Sequence, residues 1–339
     1  MTADDPGDGG LRAWVLLGAH RGDNNQVLSL AQALGIPFET KILRYNILRR
    51  LRPALLGASL RSLKPACRNS VAGDPPDLII SIGHRSVPVV RAIRKRGRVR
   101  SVHLGNPRIS PKHFDLVITT PQYPVADAPN VMRFPIAIGT TPVSDAPSEA
   151  MQALLADLPP PRRLLLIGGP SRYWRVRRAD VVQAICWLLG YVERTGGSLI
   201  VLGSPRTPAE VLRGAAQAID ALDMPALVVP TEGPPSYAEL LEAADSIFVT
   251  ADSVSMISDA LRTGRPLGII PVRRTWFGSL WMGLMDFVRP GHPVHPRDLR
   301  FFWTELQRQG LAGTIDEPRA GMAPDVLREA TLKVRQLLR

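Results

Sequence analysis

The chain has 339 residues, 45% of them hydrophobic, with 42 Lys and Arg against 30 Asp and Glu. That length provides for about two domains, each with its own core, and no run of 18 apolar residues occurs to span a membrane. Two distant cysteines without a CxxC, and six histidines without ligand spacing, argue against a disulfide framework and a zinc module, so no metal site is expected. The polar, acidic start (MTADDPGDGG) has neither a signal nor a transit pattern, and a cytoplasmic location is expected.

In chain order, residues 13–18 (AWVLLG) read as a buried strand, 20–25 as a polar loop, and 26–34 as a helix stopped by Gly35. Residues 42–64 are rich in arginine and leucine, with helical character. A strand is expected at 77–83, a helix at 87–96, and further strands at 100–104, 115–119 and 131–138. Short, fully apolar strands between helices indicate a parallel sheet covered on both faces. Residues 143–161, with Pro159-Pro160-Pro161 at their end, read as a linker holding a short helix. The alternation then restarts: strands at 163–168, 199–203, 226–230, 247–250 and 267–271, helices at 178–195, 208–222, 237–243 and 256–263. A last helix is expected over 324–338, able to fold back on the first domain. The expected organisation is an α/β chain of two Rossmann-like, doubly wound domains (11–142 and 162–315) facing a cleft, with a terminal helix at 322–339.

The charge is concentrated. Between Lys41 and Lys112 stand 17 Lys or Arg and two acids, Asp74 and Asp77, a net +15 where the whole chain carries +12. Such a face suits anionic lipid, a phosphorylated substrate or nucleic acid, and equally a solvated surface. Aromatic residues are scarce among these arginines, which weakens the nucleic-acid reading, because single-strand binders stack bases on rings. In ILRYNILRRLRPALLGASLRSLK, apolar residues interleave with arginines as in a helix lying on an anionic membrane, although Pro53 and Gly57 interrupt it.

Ligands of open α/β sheets bind beyond the C-terminal ends of the strands. The most informative such place is DSIFVTADSVSMISDALRTGRPLGIIP, from Asp245 to Pro271: a strand ending at Thr250, a turn carrying Asp252, Ser253 and Ser255, a helix, and Gly264 as its stop. Amides and hydroxyls at such a helix start suit a phosphate; the same three residues also serve as helix caps. Gly168-Gly169-Pro170-Ser171-Arg172 and Ser204-Pro205-Arg206-Thr207 follow the first and second strands of the same domain, with Ser171, Arg172 and Arg206 as phosphate donors. Thr207 and Pro208 also fit an N-cap and first helical position. In the first domain, His20 and Asp23 are candidate general bases, and Gly83-His84-Arg85 and Gly105-Asn106-Pro107-Arg108 bring cations and an amide to strand ends. GxGxxG, GxxxxGK[ST] and GxSxG are all absent, which disfavours a classical NAD enzyme, a P-loop NTPase and a nucleophile-elbow hydrolase.

VTADSVSMISDALRTGRPLGI, SYAELLEAADSI, GSPRTP, LLLIGGPSRYW, NPRISPKHFDLVITTP and WVLLGAHRGDNNQ, in this order reversed from the C-terminal end, together resemble the ELM family, named for a plant mitochondrial-fission protein, over about residues 14–271. Bacterial members are carried as glycosyltransferases or nucleoside-diphosphate-sugar epimerases. The resemblance implies a GT-B architecture with the nucleotide-sugar donor in the C-terminal domain and the acceptor in the N-terminal one. It implies donor contacts for Ser204, Arg206, Thr207, Asp252, Ser253, Ser255 and Met256, to which Gly168, Gly169, Ser171, Arg172 and Thr250 are added by their place at strand ends. It implies the same for Asp259, which stands where related chains often carry Glu; with the acceptor in the N-terminal domain, the first-domain loop residues Gln26, His84, Arg85, Asn106 and Arg108 are the expected acceptor-side residues. Pro205 stands where a second arginine is common, and His20 precedes Gly22 where the family pattern has Gly before His.

The expected activity is a metal-independent glycosyltransferase with a nucleotide-sugar substrate, no cofactor, and an envelope or lipid-linked acceptor at the inner membrane face. Epimerisation on the same fold and a non-catalytic membrane-surface adaptor are the alternatives.

Overall fold

Runs such as LIISI and LLLI have no polar face, so they fold only where helices cover both sides of a sheet. The structure, a computed structural model describing residues 10–144 and 146–339, contains two such sheets in two compact units. One unit takes the chain up to Gly139 with His295–Asp298 and Asp325–Arg339; the other takes Thr140–Val294 and Leu299–Pro324.

The first unit contains β1 (Ala13–Leu17), α1 (Arg21–Leu34), β2 (Phe38–Ile42), α2 (Pro53–Leu56), α3 (Pro65–Ser70), β3 (Leu78–Ile82), α4 (Val87–Arg94), β4 (Arg100–Leu104), β5 (Leu116–Thr119) and β6 (Val131–Arg133). Its strands are parallel in the order β2-β1-β3-β4-β5-β6. The direction of winding therefore reverses between β1 and β3, the switch point of a doubly wound sheet. Trp14, Leu16, Ile79, Val90, Ile93 and Val117 form part of one buried cluster.

Several expectations change here. Residues 21–25 are the first turns of α1, not a loop. His20 is the N-cap residue without a side-chain cap bond, and Asp23 lies in the first turn, favourable for the helix dipole. Asn24 folds back on the strand end, accepting from the Gly18 amide at 2.8 Å and donating to its carbonyl at 3.1 Å. The basic stretch breaks into β2, a 3-10 turn (Ile47–Arg50) and α2, because Pro53 starts a new helix and Gly57 at φ 60 ends it. The strand expected at 131–138 pairs only as Val131–Arg133.

The second unit contains α5 (Glu149–Asp157), β7 (Arg162–Ile167), β8 (Trp174–Arg175), α6 (Arg178–Thr195), β9 (Ser198–Gly203), α7 (Ala209–Asp220), β10 (Ala226–Val229), α8 (Tyr237–Ala243), β11 (Ser246–Thr250), α9 (Val254–Arg262), β12 (Leu267–Ile270), β13 (Arg273–Arg274), α10 (Trp276–Val288), α11 (Leu299–Arg308) and β14 (Gly313–Thr314). Its main sheet is parallel in the order β10-β9-β7-β11-β12-β14, with the switch point between β7 and β11. β8 and β13 form a separate antiparallel pair. α10 and α11 were not expected. In α10 only Asp286 among thirteen residues is charged, and Trp276, Leu280 and Phe287 stay exposed, so no polar stripe reveals a helix.

The last helix, α12 (Val326–Leu338), belongs to the first unit and packs on α1. Arg335 donates to the Ala33 and Leu34 carbonyls at 3.3 and 3.1 Å, satisfying groups that the end of α1 leaves open.

Candidate functional site

At the switch point of the second unit, three loops interlock. The Gly168 amide donates to the Thr250 hydroxyl at 2.8 Å, and the Gly169 amide to Asp252 Oδ2 at 2.9 Å. The Thr207 hydroxyl donates to the Ile167 and Gly168 carbonyls at 2.8 and 2.6 Å, while accepting from the Ser204 amide at 2.8 Å. Both glycines are sterically required. A Cβ on Gly168 would lie 2.2 Å from Asp252 Oδ2, and one on Gly169 would lie 2.5 Å from the Cβ and carbonyl oxygen of Arg206. Their freedom thus serves the approach of one loop to another. Thr250 and Asp252 are buried. Burial raises the Asp252 carboxyl, against the Thr250 hydroxyl, the Gly169 amide and the Arg206 charge, which lower it.

What remains open at this edge is narrower than the full set of expected residues. Ser253, itself buried, is the N-cap residue of α9 yet makes no side-chain cap bond, so capping does not account for it, and Asp252 accepts from the Gly169 amide of the loop after β7. Ser255 and Met256 lie half-buried in the first turn of α9. Arg206 is exposed, its amide bonded to the Ser204 hydroxyl at 3.3 Å. The N-cap of α7 is Pro208, not Thr207, because the Thr207 hydroxyl is taken by the β7 strand end. Ser171 and Arg172 are exposed, and the Arg172 guanidinium sits over the Phe277 ring at 5.2 Å, directed to the start of α10.

Asp259 stands deeper along α9. It pairs with Arg262 at 3.0 Å and accepts from the Tyr237 hydroxyl at 3.4 Å. Burial raises its carboxyl to about 6, although both partners pull the other way. Two residues missed by sequence reasoning support this edge: Tyr237, and Trp303 of α11, whose indole N–H donates to the Ala251 carbonyl at 2.7 Å and whose ring meets Trp174 edge-on at 4.7 Å. No local signal marks Trp303, since its partner lies 52 residues away.

In the first unit, His20, Asp23 and Gln26 follow β1, and His84-Arg85 follow β3, so they stand on the two sides of that unit's switch point. His20 is exposed, Asp23 half-buried, and Gln26 donates to the Gly22 carbonyl at 3.4 Å. Asn106 is buried; it accepts from the Arg108 amide at 2.9 Å and donates to the Pro296 carbonyl at 3.2 Å. Arg108 adopts φ 56, the left-handed region unusual for a branched-chain-free but bulky residue. Burial, with Arg108, Arg85 and His295 nearby, lowers His84 to about 4. His295, which the sequence did not suggest, stands in the same field, and burial, then Arg108 and Arg52, lower its pKa and favour the neutral imidazole. Among the described residues, no three His, Cys, Asp or Glu side chains gather as a metal site.

The family described as Mitochondrial fission ELM1 matches the chain over residues 21–279. The Arabidopsis thaliana mitochondrial fission protein ELM1 is 27% identical over 244 residues, which cover 64% of this chain and 56% of the relative, so the match spans little more than half of that protein. Among solved structures, the UDP-GlcNAc 2-epimerase of Methanocaldococcus jannaschii is similar with a TM-score of 0.53 at 11% identity, covering 96% of this chain and 99% of the other. The Neisseria meningitidis UDP-GlcNAc 2-epimerase bound to UDP-GlcNAc also gives 0.53, at 10% identity over 97% and 100%. Acinetobacter baumannii MurG gives 0.50 at 13% identity over 96% and 92%. These likenesses are of fold: two Rossmann-like domains of GT-B type.

Proposed function

The chain belongs to the mitochondrial fission ELM1 family, and from that premise we propose that it is a glycosyltransferase whose second unit binds a nucleotide-sugar donor at the turn after Thr250. One observation carries the reading. The loops after β7, β9 and β11 bond to one another, and at their junction stand the exposed Arg206, whose charge acts on Asp252 just before α9, and Ser253, the buried N-cap residue of α9, which makes no side-chain cap bond. A diphosphate is the ligand such a helix start and guanidinium attract. In transfer, the same groups would take up the charge developing on the leaving diphosphate. Asp259 would meet the donor ribose or sugar. In the first unit, His20 or Asp23 would accept the proton of the acceptor hydroxyl, and His84, Arg85, Asn106, Arg108 and Gln26 would hold an envelope or lipid-linked acceptor. The basic stretch from Lys41 would keep the protein at an anionic membrane surface.

A second reading draws on the name of the plant relative: a non-catalytic adaptor in organelle or membrane division. It predicts no response to nucleotide sugars.

The test is a thermal-shift screen of UDP-, GDP-, CMP- and ADP-sugars. A site saturated at 100 times its dissociation constant stabilises by roughly 2.7 kcal/mol. Ser253→Ala and Arg206→Ala are expected to diminish the shift. Silence across the panel, or variants that respond like the parent, rejects the donor site. Sugar turnover with the donor alone would replace transfer by epimerisation.

A further inference from the structure

The last turn of α4, the turn into β4 and the 3-10 turn Pro111–His113 border an open surface cavity of about 550 Å³. It is lined by Arg91, Arg94, Lys95, Arg98, Arg100 and Lys112, with a single acid, Asp115. Asp115 is already engaged. It pairs with Arg94 at 3.1 Å and Arg100 at 3.5 Å, and accepts from the Ser101 amide and hydroxyl at 2.8 and 2.9 Å. Arg94 also donates to the Val99 and His113 carbonyls. Arg91, Lys95, Arg98 and Lys112 have no carboxylate partner among the described residues. The C-terminal dipole of α4 favours Arg91 and Lys95. It does not account for Arg98 and Lys112, which arrive from two other segments. Like charges gathered without counter-charge repel, and an anion between them removes the repulsion. The His113 imidazole lies in the same field: burial, then Arg91, Lys112 and Arg94, lower its pKa.

We propose that this cavity binds a phosphate-bearing anion. It lies where β4 and β5 begin, the end of the sheet opposite the strand ends that carry His84 and Asn106. It is therefore a site apart from the one assigned to the acceptor. Guanidinium groups take phosphate in bidentate fashion, and the volume falls in the range of small-ligand sites. No Phe, Tyr or Trp lines it, so nothing there stacks a base. Ala58, on the cavity wall, directly continues the chain from α2, where Leu55 is 74% exposed. A lipid headgroup with its chains against α2, or a soluble phosphate, both meet this chemistry.

The test uses the full chain, inorganic pyrophosphate in a calorimetric titration, and co-sedimentation with vesicles of phosphatidylglycerol and phosphatidylcholine. K95E/R98E and K112E reverse exposed charges in the cavity, and R213E/R328E makes the same change of net charge as K95E/R98E at exposed helix positions elsewhere. The parent is expected to bind pyrophosphate, vesicles or both. K95E/R98E and K112E are expected to weaken that binding about tenfold or more, with an unchanged far-ultraviolet circular dichroism spectrum, while R213E/R328E keeps it. Pyrophosphate binding alone assigns a soluble phosphate; vesicle binding alone assigns a lipid headgroup. Binding of neither, or an equal loss in R213E/R328E, overturns the proposal. So does an oligonucleotide that binds through these residues when both phosphate probes do not. The nucleotide-sugar shift of the cavity variants should match the parent, so a failure here and a failure of the donor site are separate results.

Discussion

The Gly169 amide donates to the Asp252 carboxylate at 2.9 Å, across 83 residues of chain. This bond and its neighbour, Gly168 to Thr250, hold the loop after β7 against the turn after β11. A Cβ added to Gly168 would fall on Asp252 Oδ2. Gly168→Ala is therefore expected to cost about 1–3 kcal/mol in urea unfolding. In a background of Asp252→Ala the same change should cost less, with a coupling of about 0.5–3 kcal/mol. Strictly additive costs would show that the carboxylate is not what the methyl meets.

Trp303 fixes the other side of the same turn through its bond to the Ala251 carbonyl. Trp303→Phe keeps an aromatic ring but removes the donor. A loss of about 1 kcal/mol is expected, together with a smaller nucleotide-sugar shift than the parent. An unchanged shift would mean that the turn keeps its shape without the indole.

Arg206 is exposed and its guanidinium makes no hydrogen bond or ion pair among the described residues, so Arg206→Ala should change unliganded stability by no more than about 0.5 kcal/mol. Its effect belongs to the ligand. Arg206→Lys retains charge but not the planar fork, and should lie between parent and alanine in the thermal shift. A lysine variant equal to alanine would point to geometry alone.

Stability should depend on acid through buried histidines. Burial, reinforced by Arg108, Arg85 and His295, lowers His84 to about 4; burial lowers His103 to about 3. Unfolded histidine titrates near 6.5. Between about 4 and 6.5 the unfolded chain binds protons that the native chain does not, so stability rises with pH across this window and falls on acidification. Asp259 acts in the opposite sense. Its carboxyl is raised to about 6, so the native chain holds the extra proton and that contribution declines as pH rises from about 4 to 6. His103→Leu should make the acid limb shallower by up to about 1.4 kcal/mol per pH unit. Asp259→Asn should make it steeper. Denaturation midpoints measured from pH 4 to 7 check both signs.

Residue pattern alone determined the strand–helix alternation, the restart after Pro161 and the family. The reason is that burial on two faces and helix stops are local properties: Gly35 and Gly264 end helices at φ 73 and 71, as their positions suggest. α10 escaped because its residues are apolar on nearly every side. The roles of Asp252, Thr207 and Asn106 were decided only by tertiary structure. A carboxylate or hydroxyl caps a helix, bonds another loop or meets a ligand with the same chemistry. Strand order selects among these, by setting β7 beside β11 and by returning Pro296 to Asn106 across 190 residues.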